Sequence, residues 1–188
     1  MPRASRFVAS AVGALLLCSV PATAAVGDPT PPPVDPAGAD LGLVERTTVV
    51  LATAKYTDVD VAVAAGYVPT EHCVPFQGHH YFNPDLVADP AIDPARPEAL
   101  LYERQEDGTM KLVAVEYFKV DADGDTATAD DRPSLFGHEL QGPMPGHSLP
   151  AGEPPQPVHY DLHLWVYEDN PDGDLVMTNP GINCPDHH

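Results

Sequence analysis

The chain has 188 residues, with 28 aspartates and glutamates against nine lysines and arginines, for a formal net charge of −19. Such a charge argues against nucleic acid or an anionic membrane surface as a partner. The length suits one domain with a real core, and no transmembrane or repeat pattern fits it.

Residues 1–24 read as a secretory signal. Arg3 and Arg6 form a basic start, Phe7 to Val20 an apolar run too short to span a bilayer, and Ala22-Thr23-Ala24 a small-residue cleavage site. Cys18 does not make a lipoprotein signal, because Leu17 stands where a small residue belongs. The protein is therefore expected to be secreted, with no membrane contact after cleavage. Residues 25–40, with Pro29, Pro31, Pro32, Pro33 and Pro36, read as a disordered linker. Residues 41–188 are expected to form a single α+β domain.

Asp40 is placed to cap a helix running through Leu43, Val44, Thr47, Val50, Leu51 and Ala54. Thr57-Asp58-Val59-Asp60 resembles a capping box, and Gly66 is placed to stop the helix that follows. Beyond Tyr67 the pattern changes to short strand-like runs at 79–82, 99–104, 111–120, 158–168 and 175–178. Gln105-Glu106-Asp107-Gly108-Thr109 reads as a hairpin turn, and residues 130–157 as one long Pro/Gly-rich loop. The expected fold is N-terminal helices packed on an antiparallel β-sheet, with a barrel-like sheet as one form it can take. Cys73 and Cys184 are the two cysteines outside the leader. In an oxidising compartment they are expected to pair, closing a long loop for a contribution of ~4–5 kcal/mol.

The segment from Val158 to Tyr167 alternates strictly. Val158, Tyr160, Leu162, Leu164 and Val166 make an apolar face, and His159, Asp161, His163, Trp165 and Tyr167 make the other. Two imidazoles, a carboxylate and two aromatics are the residue types of a site rather than of a solvated strand. Residues four apart on a strand lie ~13 Å apart, so a single metal ion does not easily take both His159 and His163 from a regular strand.

Glu116 is the strongest candidate from another segment. Its strand face carries Leu112, Ala114 and Phe118, so the carboxylate needs a partner: Arg104 or Arg132 in a salt bridge, or a metal ion. His79 and His80 point to opposite faces if extended, so one of them at most joins a given site. His138 and His147 lie in the long loop, and His187 and His188 at the chain end, where solvated side chains are the expectation. Asp121-Ala122-Asp123-Gly124-Asp125 opens like a calcium loop. Thr126 then replaces the turn glycine and Arg132 the closing glutamate, so it reads as an acidic turn.

The set Gly66-Tyr67, Gly78-His79-His80-Tyr81-Phe82-Asn83-Pro84, Pro97-Glu98-Ala99-Leu100-Leu101-Tyr102, Val115-Glu116-Tyr117, Asp131 to Gly137 and His159-Tyr160-Asp161-Leu162-His163-Leu164-Trp165 resembles a group of small exported actinobacterial proteins of unassigned function. At scattered positions the chain is also similar to the TTHB210-like (DUF5602) barrel proteins. The first resemblance aligns a histidine with His80 rather than His79, and neither implies a catalytic residue.

Two readings follow. In one, His80, Glu116, Asp161 and His159 or His163 form a metal pocket for Zn²⁺, Fe²⁺, Mn²⁺ or Cu²⁺, since imidazole and carboxylate without thiolate suit those ions. In the other, the same groups are a buried polar network in a non-catalytic secreted binding or structural protein, with a small ligand or a second copy as partner.

Overall fold

The computed structural model describes residues 40–146 and 156–184. The expected leader, nearly all of the linker, His147, His187 and His188 lie outside them. Among the described residues no helix is long and apolar enough to cross a membrane.

The fold is α+β. Two helices, α1 (Leu43–Thr53) and α2 (Val59–Ala64), are joined by a 3₁₀ turn at Ala54–Thr57. The strands are β1 (Val68–Val74), β2 (Gly78–Phe82), β3 (Ala99–Arg104), β4 (Met110–Val120), β5 (Ser134–Leu135), β6 (His138–Glu139), β7 (Gln141–Met144) and β8 (His159–Leu164). A one-turn helix, α3 (Pro84–Val87), follows β2. Six strands form an antiparallel sheet in the order β1-β2-β3-β4-β8-β7, and β5 pairs with β6 separately. The sheet is open rather than closed into a barrel.

The local signals in the helical third act largely as expected. The cap of α2 falls one residue later than the capping box implies: Thr57 gives its hydroxyl to Ala54 O, and the Asp58 carboxylate accepts the Asp60 N–H at 3.0 Å. The helix ends in a Schellman arrangement, Gly66 N–H to Val63 O and Tyr67 N–H to Ala62 O, with Gly66 at φ +97°. Asp40 does not cap α1. Gly42 holds that position without a side-chain bond. The Leu41 N–H instead goes to the Asp174 carboxylate, which also pairs with Arg46. Leu43, Val44 and Leu51 are exposed, and α1 buries Val49 and Thr53 instead. Its packing face is set by where the sheet lies, and the longest apolar stripe looks outward.

One sheet face packs on these helices through Leu100, Tyr102, Leu112, Val115, Tyr117, Tyr160, Leu162 and Leu164. The Tyr102 hydroxyl donates to Tyr56 O at 2.6 Å and ties the sheet to the 3₁₀ turn. The opposite face carries Leu101, Ala114 and Trp165, packed with Ile182.

A register shift in β4 separates the two sets. Leu101 faces Ala114, while Tyr102 faces Leu112, so Val113 is the extra residue of a bulge. Leu112 therefore joins the helix side with Val115 and Tyr117, and does not share the Glu116 face as strict alternation implies. β8 ends at Leu164, where Val166 N–H turns back to Leu164 O. Tyr167 then leaves the polar face, and its hydroxyl lies 2.7 Å from Thr53 Oγ1 of α1. No strand forms at 175–178.

The 130–157 stretch is less of a loop than its composition suggests, since it contains β5, β6 and β7. Both β1 and β7 are edge strands and both contain a proline, Pro69 and Pro143. Proline is tolerated at an edge because no second neighbour needs its missing N–H. The Gln105–Thr109 hairpin turn is present, with Gln105 N–H bonded to Thr109 O and Gly108 at φ +84°. Cys73 and Cys184 form a disulfide across a sequence separation of 111.

Candidate metal centre

The face opposite the helices holds the candidate site. Antiparallel pairing sets Glu116 of β4 beside His163 of β8, Phe118 beside Asp161, and Val120 beside His159. On the other flank Ala99 of β3 lies beside Glu116, and β2 places His80 beside Leu101 and Phe82 beside Ala99. His80 therefore stands two strands from Glu116, ~10 Å at the backbone. His80 is also one same-face step along from Glu116, with Leu101 as its own β3 neighbour, and the gap stays open because Ala99, the β3 residue beside Glu116, is small. Ala114, next on the same face of β4, is equally small, and both alanines are fully buried.

Across this floor three side chains converge. His80 Nε2 lies 3.5 Å from Glu116 Oε2, and His163 Nε2 lies 4.0 Å from the same oxygen. One ligand atom from each of the three falls within 4.8 Å of the others, and all three residues are buried. Ligand atoms on a tetrahedral zinc stand about 3.4 Å apart, given bond lengths of 2.0–2.2 Å. The set is thus slightly more open than a closed coordination sphere.

Aromatic rings hold the imidazole planes. His80 stacks on Phe82 at 5.9 Å, His163 on Trp165 at 6.5 Å and His159 on Phe118 at 4.5 Å, with Phe82 and Phe118 edge to face at 5.5 Å. The His80 and His163 rings are nearly perpendicular at 6.0 Å. Trp165 is itself fixed, its Nε1–H donating to Val176 O at 2.6 Å.

Electrostatics make the carboxylates the reactive part of this face. Burial pushes the Glu116 carboxyl well above its ordinary range, with Asp161 and Glu98 adding like-charge repulsion. Burial also raises Asp161, to about 7. Glu116 Oε2 and Asp161 Oδ1 are buried and accept no hydrogen bond. A carboxylate in that condition is stabilised by a proton or a cation. Of the two arginine partners considered for Glu116, Arg132 is committed elsewhere, to Leu140 O and the Tyr160 ring. The basic groups that meet Glu116 are the two imidazoles.

The five candidates sort as follows. His80, Glu116 and His163 come together. Asp161 and His159 share the face but fall outside the trio. His159 Nδ1–H donates to Pro157 O at 2.9 Å, leaving Nε2 directed at Asp161 Oδ2, 3.9 Å away. The ladder resolves the alternative between His159 and His163, because only His163 is in register with Glu116. His79 is the cross-strand partner of Tyr102 and Cys73 and belongs to the other face. His72 is exposed, and His138 is half-buried in the β5–β6 hairpin.

Sequence reasoning missed Glu98. It is buried just before β3, accepts the Phe118 N–H at 3.1 Å, and is raised by burial to about 7. It lies within the Pro97–Tyr102 stretch that carries the resemblance, but no periodicity marks it as a site residue. It also missed the alanine floor, which becomes visible only once the strand partners are known.

A two-histidine, one-carboxylate set with coordination positions left open can hold a divalent transition ion and bind a further ligand to it. Comparison of the chain with protein-family models, with curated proteins and with solved structures found no match, so this chemistry rests on the geometry of the site itself.

Proposed function

We propose that this is an exported metalloprotein in which His80, Glu116 and His163 hold one divalent transition ion, Zn²⁺, Fe²⁺, Mn²⁺ or Cu²⁺. One observation carries the reading: the Glu116 carboxylate is buried, its Oε2 accepts no hydrogen bond, and that oxygen faces two imidazole nitrogens at 3.5 and 4.0 Å. A carboxylate so placed is costly alone and well used by a cation. Asp161 supports a reactive rather than purely structural ion. Its carboxyl, raised to about 7, sits one same-face step along the strand from His163 and can take or give a proton near neutral pH. Hydrolysis or oxygen chemistry at an open position are the reaction classes such a donor set serves. Export is supported by the leader-like residues 1–24 and by the Cys73–Cys184 disulfide.

The test is metal content by mass spectrometry, on protein purified without a histidine tag. About one transition ion per chain is expected, lost in His163→Ala and kept in His159→Ala. If none of the four ions is retained at stoichiometric concentration, the metal reading fails. The face is then a buried polar network in a non-catalytic binding or structural protein.

A further inference from the structure

A second cluster lies at the far end of the β4–β8 ladder and takes no part in the site above. β4 ends at Val120, and the Asp121 N–H bonds Val158 O at 2.9 Å, closing the ladder. The chain then runs through Asp123, Gly124 and Asp125 and returns at Asp131. Asp121 is only 5% exposed, and its Oδ2 is buried with no hydrogen-bond partner. Its carboxyl faces the carboxyls of Asp123 and Asp131 and the Tyr160 hydroxyl.

The other contacts are oxygen-rich and organised. Asp131 Oδ1 accepts the Tyr160 hydroxyl at 2.7 Å, and its Oδ2 accepts the Ala122 N–H at 3.0 Å. Asp123 accepts the Asp125 N–H and the Thr128 hydroxyl, each at 2.8 Å. Arg132, the adjacent basic residue, gives its guanidinium to Leu140 O and lies over the Tyr160 ring. Burial pushes the Asp121 carboxyl above its ordinary range, and the Asp123 and Asp131 charges add to it.

We infer that Asp121, Asp123 and Asp131 form a calcium-binding loop. The sequence rejects this loop because Arg132 occupies the closing position of the familiar calcium motif. In the fold Asp131, one residue earlier, is the carboxylate that turns in. The donors are all hard oxygens with no imidazole or thiolate, which favours Ca²⁺ over a transition ion, and irregular spacing favours Ca²⁺ over Mg²⁺. Among the described residues only the His80–Glu116–His163 group gathers its ligand atoms within 4.8 Å. The three aspartates do not all meet within that distance, although Asp121 is in hydrogen-bond contact with the other two; an ion would gather them, with turn carbonyls and water completing six to eight ligands.

The test uses the full chain and CaCl₂ alone, followed by thermal melting and calorimetry, with a His80→Ala/His163→Ala variant to remove the transition-metal site from the count. One Ca²⁺ per chain is expected, with a dissociation constant on the order of 10⁻⁴–10⁻³ M and a Tm rise of about 5 °C at 10 mM, equal in the double-histidine variant. Asp121→Asn is expected to weaken binding at least tenfold while raising the Tm in chelator, because it removes a buried like charge. Should that variant not fold, the exposed Asp123→Asn must show the same loss of affinity. Terbium emission sensitised by the neighbouring tyrosine is expected to dim in Tyr160→Phe. No Ca²⁺-dependent shift at 10 mM, or a shift unchanged in Asp121→Asn or Asp123→Asn, or terbium emission unchanged in Tyr160→Phe, overturns the site.

Discussion

Glu116 and His163 are cross-strand partners in the β4–β8 ladder, and Glu116 Oε2 lies 4.0 Å from His163 Nε2. The backbone hydrogen bonds of two buried strands therefore set the distance between carboxylate and imidazole. A slip of one residue would turn every one of these side chains to the helix side. The site is held by the register of the sheet rather than by any loop.

Replacing Glu116 separates its roles. Glu116→Leu is expected to raise the melting temperature of metal-free protein, because a buried carboxyl whose Oε2 accepts no hydrogen bond is exchanged for an apolar side chain. The same variant is expected to retain less than a tenth of the bound metal. Melting curves with and without chelator, together with metal analysis, check both halves. A lower melting temperature in the metal-free variant would show that Glu116 is an anchoring partner and not a metal ligand in waiting.

The alanine floor gives a second prediction. Ala99→Leu places a branched side chain beside Glu116, in the gap that His80 crosses. We expect metal affinity to fall about 10–100-fold, the size of effect seen when a group supporting a ligand is lost. Overpacking is expected to cost about 1–3 kcal/mol in stability. Competitive chelator titration reads the first effect and urea unfolding the second. Unchanged affinity would mean that His80 does not reach across β3 to the ion.

Glu98 predicts a pH dependence. Its folded carboxyl is raised by burial from an ordinary 4.5 to about 7. Between those values the folded state holds a proton that the unfolded chain has released. Stability is therefore fully present below about pH 4.5 and lost as the pH rises through about 7. The loss reaches up to about 3 kcal/mol by linkage. Glu98→Gln is expected to remove this slope and to be the more stable protein at pH 8, since an amide oxygen can still accept the Phe118 N–H. Urea unfolding of both proteins at pH 5 and pH 8 measures it. Parallel slopes in the two proteins would refute the assignment.

Reduction tests the Cys73–Cys184 bridge. It ties the β1 edge strand to the last described segment of the chain. Opening it, or Cys184→Ser, is expected to cost ~4–5 kcal/mol, mostly by freeing the unfolded chain. Intact mass with and without reductant and chemical unfolding are the measurements. Two alkylatable thiols in folded, oxidised protein would contradict the bridge.

Much of this protein was legible locally. The alternation at 159–164 marks a strand with one core face and one site face, because a two-residue period maps directly onto the two sides of a pleat. The Gly66 stop, the Gln105–Thr109 turn and the pairing of two cysteines rest on backbone geometry or counting, which a sequence states outright.

Other features depend on what lies across the ladder. The bulge at Val113 moves Leu112 off the Glu116 face, and a bulge arises from pairing with a distant strand. The turn after Leu164 sends Tyr167 to Thr53 because α1 is there to receive it. Strands β1 and β7 were missed because prolines read as breakers, and only an edge position excuses them. The choice of His163 over His159, the reach of His80 past β3, and the turning-in of Asp131, one residue before the arginine that breaks the calcium motif, are all matters of register and tertiary packing. The residue types, and the face each strand offers, were written in the chain. Which of them meet was decided by backbone bonds between segments many residues apart, because local periodicity carries no information about a strand's partner.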